Sequence, residues 1–296
     1  MADRGSCVVM VTNRAHLQRC LTTVWQLRWF GRYRGEIIMI VGNDLEADIP
    51  KIARSGLRVT PRHFPDIDRT ETLSELEGAM HTSEVVFTKP FQFQKVYVFD
   101  VYFKQWSKIL YLDTKMRVLN PISKVLDLDC SNSLVAHSDS FPDFTRTFES
   151  QFNVKDFPEL AEEADLIAPL GEDYFQTGMM LFDSKIIAED TVEDILKLAR
   201  KFINSNTNEQ AIINLWAKSR KLWKKLPTSP VDGKLLYDYW PRESRSSSDY
   251  VLLKRVRRVP DRGIRRLSNL LFRLYWRCFS WTLRRNRPVK KRILDR

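Results

Sequence analysis

The run Lys108–Leu112 is apolar after its first residue and ends in an acid, Asp113; two positions later stands a lysine, Lys115. A carboxylate and an ammonium at that spacing offer one group for a cation or hydroxyl and one for an anion. Polar residues close the other apolar runs too: Thr12 and Asn13 after "CVVMV", Asp44 after "EIIMIVGN", Asp139 after "SLVAHS", and Gln176, Thr177 and Gly178 within "YFQTGMMLFD". Polar groups gathered along one sheet edge are what a substrate site requires, although strand ends are polar in many proteins.

The elements that must position these residues alternate. "CVVMVTN" reads as a buried strand, and Asn13 is suited to cap the helix after it. In that helix Leu17, Leu21, Val24, Trp25 and Arg28 recur at helical spacing until Gly31. "EIIMIVGND", "LRVTP", "KILYLD", "SLVAHSD", "YFQTGMMLFD" and "KLWKKLP" are further strands, with helices expected over 91–106, 184–203 and 208–219. Strands alternating with helices imply an α/β layered sheet with ligands at the carboxyl ends of the strands.

The chain has 296 residues and a hydrophobic fraction of 43%, with 8 Trp and 17 Phe, enough for a substantial core. Residues 251–296 hold sixteen Lys and Arg against Asp261 and Asp295. That excess is larger than the +11 of the whole chain, so the body is near neutral and the basic character belongs to the tail. The four cysteines are scattered, without disulfide or zinc spacing, which favours a reducing compartment. The first apolar run is too short for a signal peptide, and no run approaches the roughly 18–20 residues that span a bilayer. A cytoplasmic location is expected. The organisation expected is a body over 1–241, a serine-rich polar linker over 242–250, and a basic amphipathic tail over 251–296.

Five segments, in order across residues 7–227, carry a resemblance. "YLDTKMRVLNPI" resembles the YLDxDxxVLxPI segment of the glycogenin-like nucleotide-sugar transferases, glycosyltransferase family 8. "VTNRAHLQRCLTTVWQLR" is similar to that family's first strand and helix, and "FQKVYVFDVYFKQWSKILYLD" to the stretch leading into its metal motif. "YFQTGMMLFD" and "TNEQAIINLW" resemble its YFNSGVMLFN strand and DQxxLN motif. The resemblance implies a GT-A type fold, a mixed and mostly parallel sheet flanked by helices, to which this chain adds the basic amphipathic helix. It implies a nucleotide-sugar donor, a UDP-sugar above all, and transfer with retention to a glycan, glycolipid or protein acceptor.

Position by position, it implies that Thr12 and Asn13 face the nucleoside, that Lys95 faces the sugar or diphosphate, and that Asp113 is the first acid of the metal motif. Asp139 would bind donor-sugar hydroxyls with Gln176, Thr177 and Gly178. Gln210 would face the anomeric carbon, with Glu209 beside it. Each has a plainer reading as a strand end, a turn acid or a solvated helix residue. His137 reads as a hydrogen-bonded strand-end histidine.

Lys115 departs from the family, in which a second aspartate stands at its position and the pair holds a divalent cation such as manganese. A lysine ligates no cation unless it is deprotonated. The family's C-terminal histidine ligand is also missing; the comparable "SPVDGKLLYDYWP" holds Asp232 and Asp238. Two carboxylates with a divalent cation sum to zero charge, as do one carboxylate and one ammonium. The second pair places a cation beside a leaving diphosphate without metal. Three readings stay open: a metal-independent transferase using Asp113 and Lys115, a weak metal site built on Asp113, and an inactive relative that binds without turnover.

In the tail, Arg266, Arg273, Arg277 and Arg284 fall on one helical face. Leu267, Leu270, Leu271, Phe272, Leu274, Tyr275, Trp276, Phe279, Trp281 and Leu283 cover the others. The pattern describes a helix lying on an anionic membrane, reinforced by "RRNRPVKKR". Packing of the helix on the body is the plainer alternative, and nucleic-acid binding is less favoured because so wide an apolar face is costly to leave in water. The expected protein is a membrane-associated retaining glycosyltransferase, and the alternative is a silent nucleotide-sugar-binding scaffold of the same fold.

Overall fold

The computed structural model describes residues 4–65, 90–142, 145–202, 205–207, 209–239, 247–254 and 264–285. Its main sheet has seven strands in the order β3-β2-β1-β4-β7-β6-β8. These are β1 Ser6–Thr12, β2 Glu36–Val41, β3 Val59–His63, β4 Lys108–Leu112, β6 Leu134–Ser138, β7 Phe175–Asp183 and β8 Trp223–Lys225. The pairs β1–β2, β1–β4, β2–β3 and β6–β8 are parallel, and β7 runs antiparallel between β4 and β6. Because β1 and β4 run in the same direction side by side, Asn13 and Asp113 emerge at the same edge. Antiparallel β7 enters at that edge, so its first residues, Gln176–Gly178, lie beside Asp113.

A second sheet, β5-β10-β9, is built from β5 Arg117–Val118, β9 Leu235–Asp238 and β10 Tyr250–Leu253. This corrects the expected boundary, which assigned 251–254 to the tail. Tyr250–Leu253 is buried at every position and pairs with both β9 and β5. The serine-rich stretch 242–246 lies outside the described residues.

The helices are α1 Leu17–Trp29, α2 Ile49–Ala53, α3 Ser123–Leu126, α4 Pro158–Ile167, α5 Thr191–Lys201, α6 Glu209–Ser219 and α7 Ile264–Arg285. Two apolar cores fill the opposite faces of the main sheet. One is centred on Phe99, Phe103, Trp106, Phe182 and Trp216, the other on Val8, Met10, Leu21, Val24 and Leu110. The single helix expected over 91–106 is instead two 3-10 segments, Pro90–Phe99 and Val101–Gln105. Asp100 separates them: it is extended, and its carboxylate accepts the Tyr102 backbone N–H at 2.8 Å as a cap. Phe93–Phe99 are all buried, so that half has no polar face to favour a regular α-helix, whereas Val101 and Lys104 in the second half are exposed.

The tail helix α7 docks on α1. Phe272, Phe279 and Leu283 are buried in the second core, Trp25 Nε1 donates to Ser268 Oγ at 2.9 Å, and Tyr275 donates to the Ser55 carbonyl at 3.0 Å. Its opposite side stays open, with Leu267 57%, Leu270 52%, Leu274 51% and Trp281 59% exposed. Among the described residues no helix is long and apolar enough to cross a membrane.

Candidate active site

The site begins with Asp113, which leaves β4 through a turn closed by the Met116 N–H on its carbonyl, 3.0 Å. Its own N–H donates to the Gly178 carbonyl at 3.0 Å, which ties it to β7. Tyr111 donates to Asp113 Oδ1 at 2.6 Å, Lys95 Nζ lies 3.5 Å from the same oxygen, and Lys254 donates to Oδ2. Burial alone would raise the Asp113 pKa, but Lys254 and then Lys95 outweigh it and hold the carboxyl well below the usual range.

Lys95 carries the network onward. Its ammonium donates to Glu209 Oε1 at 2.5 Å and to Thr177 Oγ1 at 3.1 Å. Burial pulls its pKa down, and the carboxylates of Asp113 and Glu209 more than reverse this, so it is held charged. The Thr177 N–H donates to Gln210 Oε1 at 3.3 Å, and Gln210 Nε2 donates to Asp139 Oδ2 at 3.3 Å and to Gln151 Oε1 at 3.0 Å. Gln176 Nε2 donates to Asp139 Oδ1 at 2.5 Å, and Tyr237 donates to Gln176 Oε1 at 3.0 Å. A continuous polar chain therefore runs from Lys254 to Tyr237.

Asn214 sets the helix that supplies two of these groups. It exchanges hydrogen bonds with the Phe175 backbone, accepting its N–H at 2.8 Å and donating to its carbonyl at 2.8 Å, which clamps α6 to β7. The position of Gly178 needs a small residue: a Cβ there would lie 3.3 Å from the Tyr237 hydroxyl and 3.5 Å from Asp113 Oδ2.

Of the residues expected from sequence, Lys95, Asp113, Asp139, Gln176, Thr177, Gly178, Glu209 and Gln210 come together here. Asn13 stands at the rim through His16, whose N–H donates to Asn13 Oδ1 at 3.1 Å. The His16 pKa is lowered by burial and then by Lys115. Thr12 is fully buried and its hydroxyl donates to the Asn13 carbonyl, 3.2 Å, so the structure does not bring it into the chain of groups. Lys115 is exposed and does not pair with Asp113; that place is taken by Lys254. His137 is buried and donates through Nδ1 to the Ser138 carbonyl, the plainer reading given to it above.

Sequence reasoning missed Lys254, Tyr111, Tyr237 and Gln151. For Lys254 a signal existed: "YVLLK" is an apolar run ending in a charge, as "KILYLD" is. Asp232 pairs with Lys124 at 2.9 Å away from Asp113, and among the described residues no group of three His, Cys, Asp or Glu gathers to hold a metal.

The Glycosyl transferase family 8 model matches residues 37–229. An active-site mutant of LgtC superposes with a TM-score of 0.58 at 13% identity, covering 92% of this chain and 99% of that one. The galactosyltransferase LgtC in complex with donor and acceptor sugar analogues gives 0.54 at 14% over the same shares. The glycosyltransferase GlyE of Streptococcus pneumoniae gives 0.49 at 16% identity; the chain is covered over 76% of its length and spans 46% of GlyE. No curated protein sequence matches the chain. With the family model covering well over half of its residues and the GT-A arrangement of its sheet, the chain belongs to glycosyltransferase family 8.

Proposed function

We propose that this glycosyltransferase moves a sugar from a nucleotide diphosphate, a UDP-sugar, to an acceptor hydroxyl with retention, at or near a membrane surface. The observation that carries the reading is the polar chain at the strand ends. Lys254 and Lys95 supply positive charge around Asp113, while Asp139, Gln176 and Gln210 form a cluster suited to sugar hydroxyls. The carboxylates there are already committed, Glu209 to Lys95 and Asp139 to two amides. None is arranged as a free base, which suits retention, where the acceptor proton passes to the leaving diphosphate. In that step the bond from the anomeric carbon to the phosphate oxygen breaks with its electron pair on the diphosphate, and the acceptor oxygen bonds to the same face.

The membrane part rests on α7. One side is docked, while Leu267, Leu270, Leu271, Leu274 and Trp281 stay exposed beside exposed Arg266, Arg273 and Arg277. The basic run 286–292 lies outside the described residues. The test is turnover of a panel of UDP-sugars by the full chain, read as UDP release with anomeric configuration of the product assigned by NMR. Retention supports the reading; UDP binding without release from any donor would favour a silent binding protein, and no nucleotide binding would end it.

A further inference from the structure

The family resemblance implies a divalent cation at the diphosphate, and the residues present do not fit one. Asp113 is the single carboxylate of the motif. Its Oδ1 faces the Tyr111 hydroxyl and Lys95, and its Oδ2 is taken by Lys254. The second motif position is a lysine, Lys115, and Asp232 is engaged elsewhere with Lys124. A dication against Asp113 would sit among ammonium groups, with one carboxylate to hold it.

We infer that Lys254 Nζ is the resident cation of this site, standing where a metal would, and that it binds the diphosphate of the donor. This rests on the transferase reading above. The strand register explains how a residue 141 positions away reaches Asp113. β10 pairs with β5 so that Leu252 lies opposite Val118 and Leu253 opposite Arg117. The next residue, Lys254, therefore falls beside the turn Asp113–Met116, and its backbone N–H is anchored on the Asp238 carbonyl at 3.1 Å. Its side chain is 12% exposed, directed inward rather than into solvent.

An ammonium has three N–H donors, and Lys254 uses one on Asp113. Two remain for phosphate oxygens, with exposed Lys115 as a second cation at the mouth. Lys95 and Lys254 are balanced by Glu209 and Asp113, so this end of the site needs no ion to be assembled. During transfer the Lys254 ammonium, paired with Asp113, faces the charge that collects on the departing diphosphate. It acts as a point charge, without the bridging geometry of a metal.

The test is calorimetric titration of UDP into the full chain, in excess chelator and then in manganese. Wild type is expected to bind within about twofold under both conditions. Lys254→Met should weaken binding about 10- to 100-fold in both, the loss of a charge-assisted hydrogen bond, while Lys254→Arg keeps most of it. Should Lys254→Met unfold because Asp113 Oδ2 loses its ammonium, Lys254→Met with Asp113→Asn removes both charges and should fold with the same weakened binding. Binding that requires manganese, or a folded Lys254→Met that binds like wild type, overturns the inference and leaves the transferase reading standing. A folded wild type that binds no UDP in either buffer overturns both.

Discussion

Lys95 Nζ lies 2.5 Å from Glu209 Oε1, and both side chains are more than nine-tenths buried, at 9% and 8% exposure. A buried pair adds little over an apolar pair of equal shape, but breaking it strands a charge. Glu209→Ala is therefore expected to destabilise the protein by about 3 kcal/mol, whereas Lys95→Met with Glu209→Leu should recover most of that loss. Urea denaturation midpoints of the single and double variants read this directly. Equal destabilisation by both would mean the pair is not the unit described here.

Gln210 uses both ends of its amide, accepting from the Thr177 N–H and donating to Asp139 and Gln151. It is fixed in orientation without contributing to either core. Gln210→Ala should lower kcat about 10- to 100-fold while KM for the donor moves little, the pattern of an interaction used at the reacting centre. Asp139→Ala, which removes the acceptor of two amides, should instead raise KM. Steady-state kinetics on the donor identified by the turnover panel distinguish the two.

Besides exposed Asp129, the carboxyls of Asp113, Asp48 and Asp173 are held below the ordinary aspartate value. Burial opposes the shift in each, and it is outweighed by Lys254 and Lys95 at Asp113, by Lys51 and Arg14 at Asp48, and by Lys225 with the Ser140 and Ser138 hydroxyls at Asp173. A carboxyl depressed in the folded state binds its proton more readily when unfolded. Its stabilising contribution is whole above the unfolded pKa of about 4 and drains away as pH falls towards the folded value. Thermal midpoints should therefore fall steeply from pH 4 downwards. Asp113→Asn should start lower at pH 7 and fall less over that interval; a parallel curve would remove Asp113 from the cause.

Much of this site was legible from strand ends because a buried apolar run must stop at its edge, and the residue that stops it faces the crevice. That logic found Asp113, Asp139 and Gln176–Gly178. It paired Lys115 with Asp113 by spacing, yet Lys115 is exposed after the turn that follows β4 and the partner of Asp113 is Lys254. It missed Lys254 because β10 has four residues and lies within a stretch so basic that its composition spoke for a tail. Strand pairing between β10 and β5 is a long-range event that no local pattern announces. The unbroken burial of Phe93–Phe99 likewise hid the break at Asp100, since periodicity carries no signal where a segment has no polar face.

The two sides of α7 make opposite predictions. Phe272 is 3% exposed and packs edge-on to Trp25, with ring centroids 5.8 Å apart and an interplanar angle of 63°. Phe272→Ala should destabilise the body by about 3 kcal/mol, because it opens a cavity between α7 and α1. Leu270 and Leu274 look away from that contact, and replacing both with serine should leave the urea midpoint within about 0.5 kcal/mol. The same double variant should lose at least about 10-fold in binding to vesicles containing phosphatidylserine, since two buried leucines contribute roughly 1.5–3 kcal/mol each on insertion. Binding by wild type should also weaken as salt screens the arginines. If Leu270→Ser with Leu274→Ser co-sediments with such vesicles as wild type does, the open face of α7 is not what holds this protein to lipid. A large loss of folding stability in that variant would mean the face is covered in solution by the protein itself.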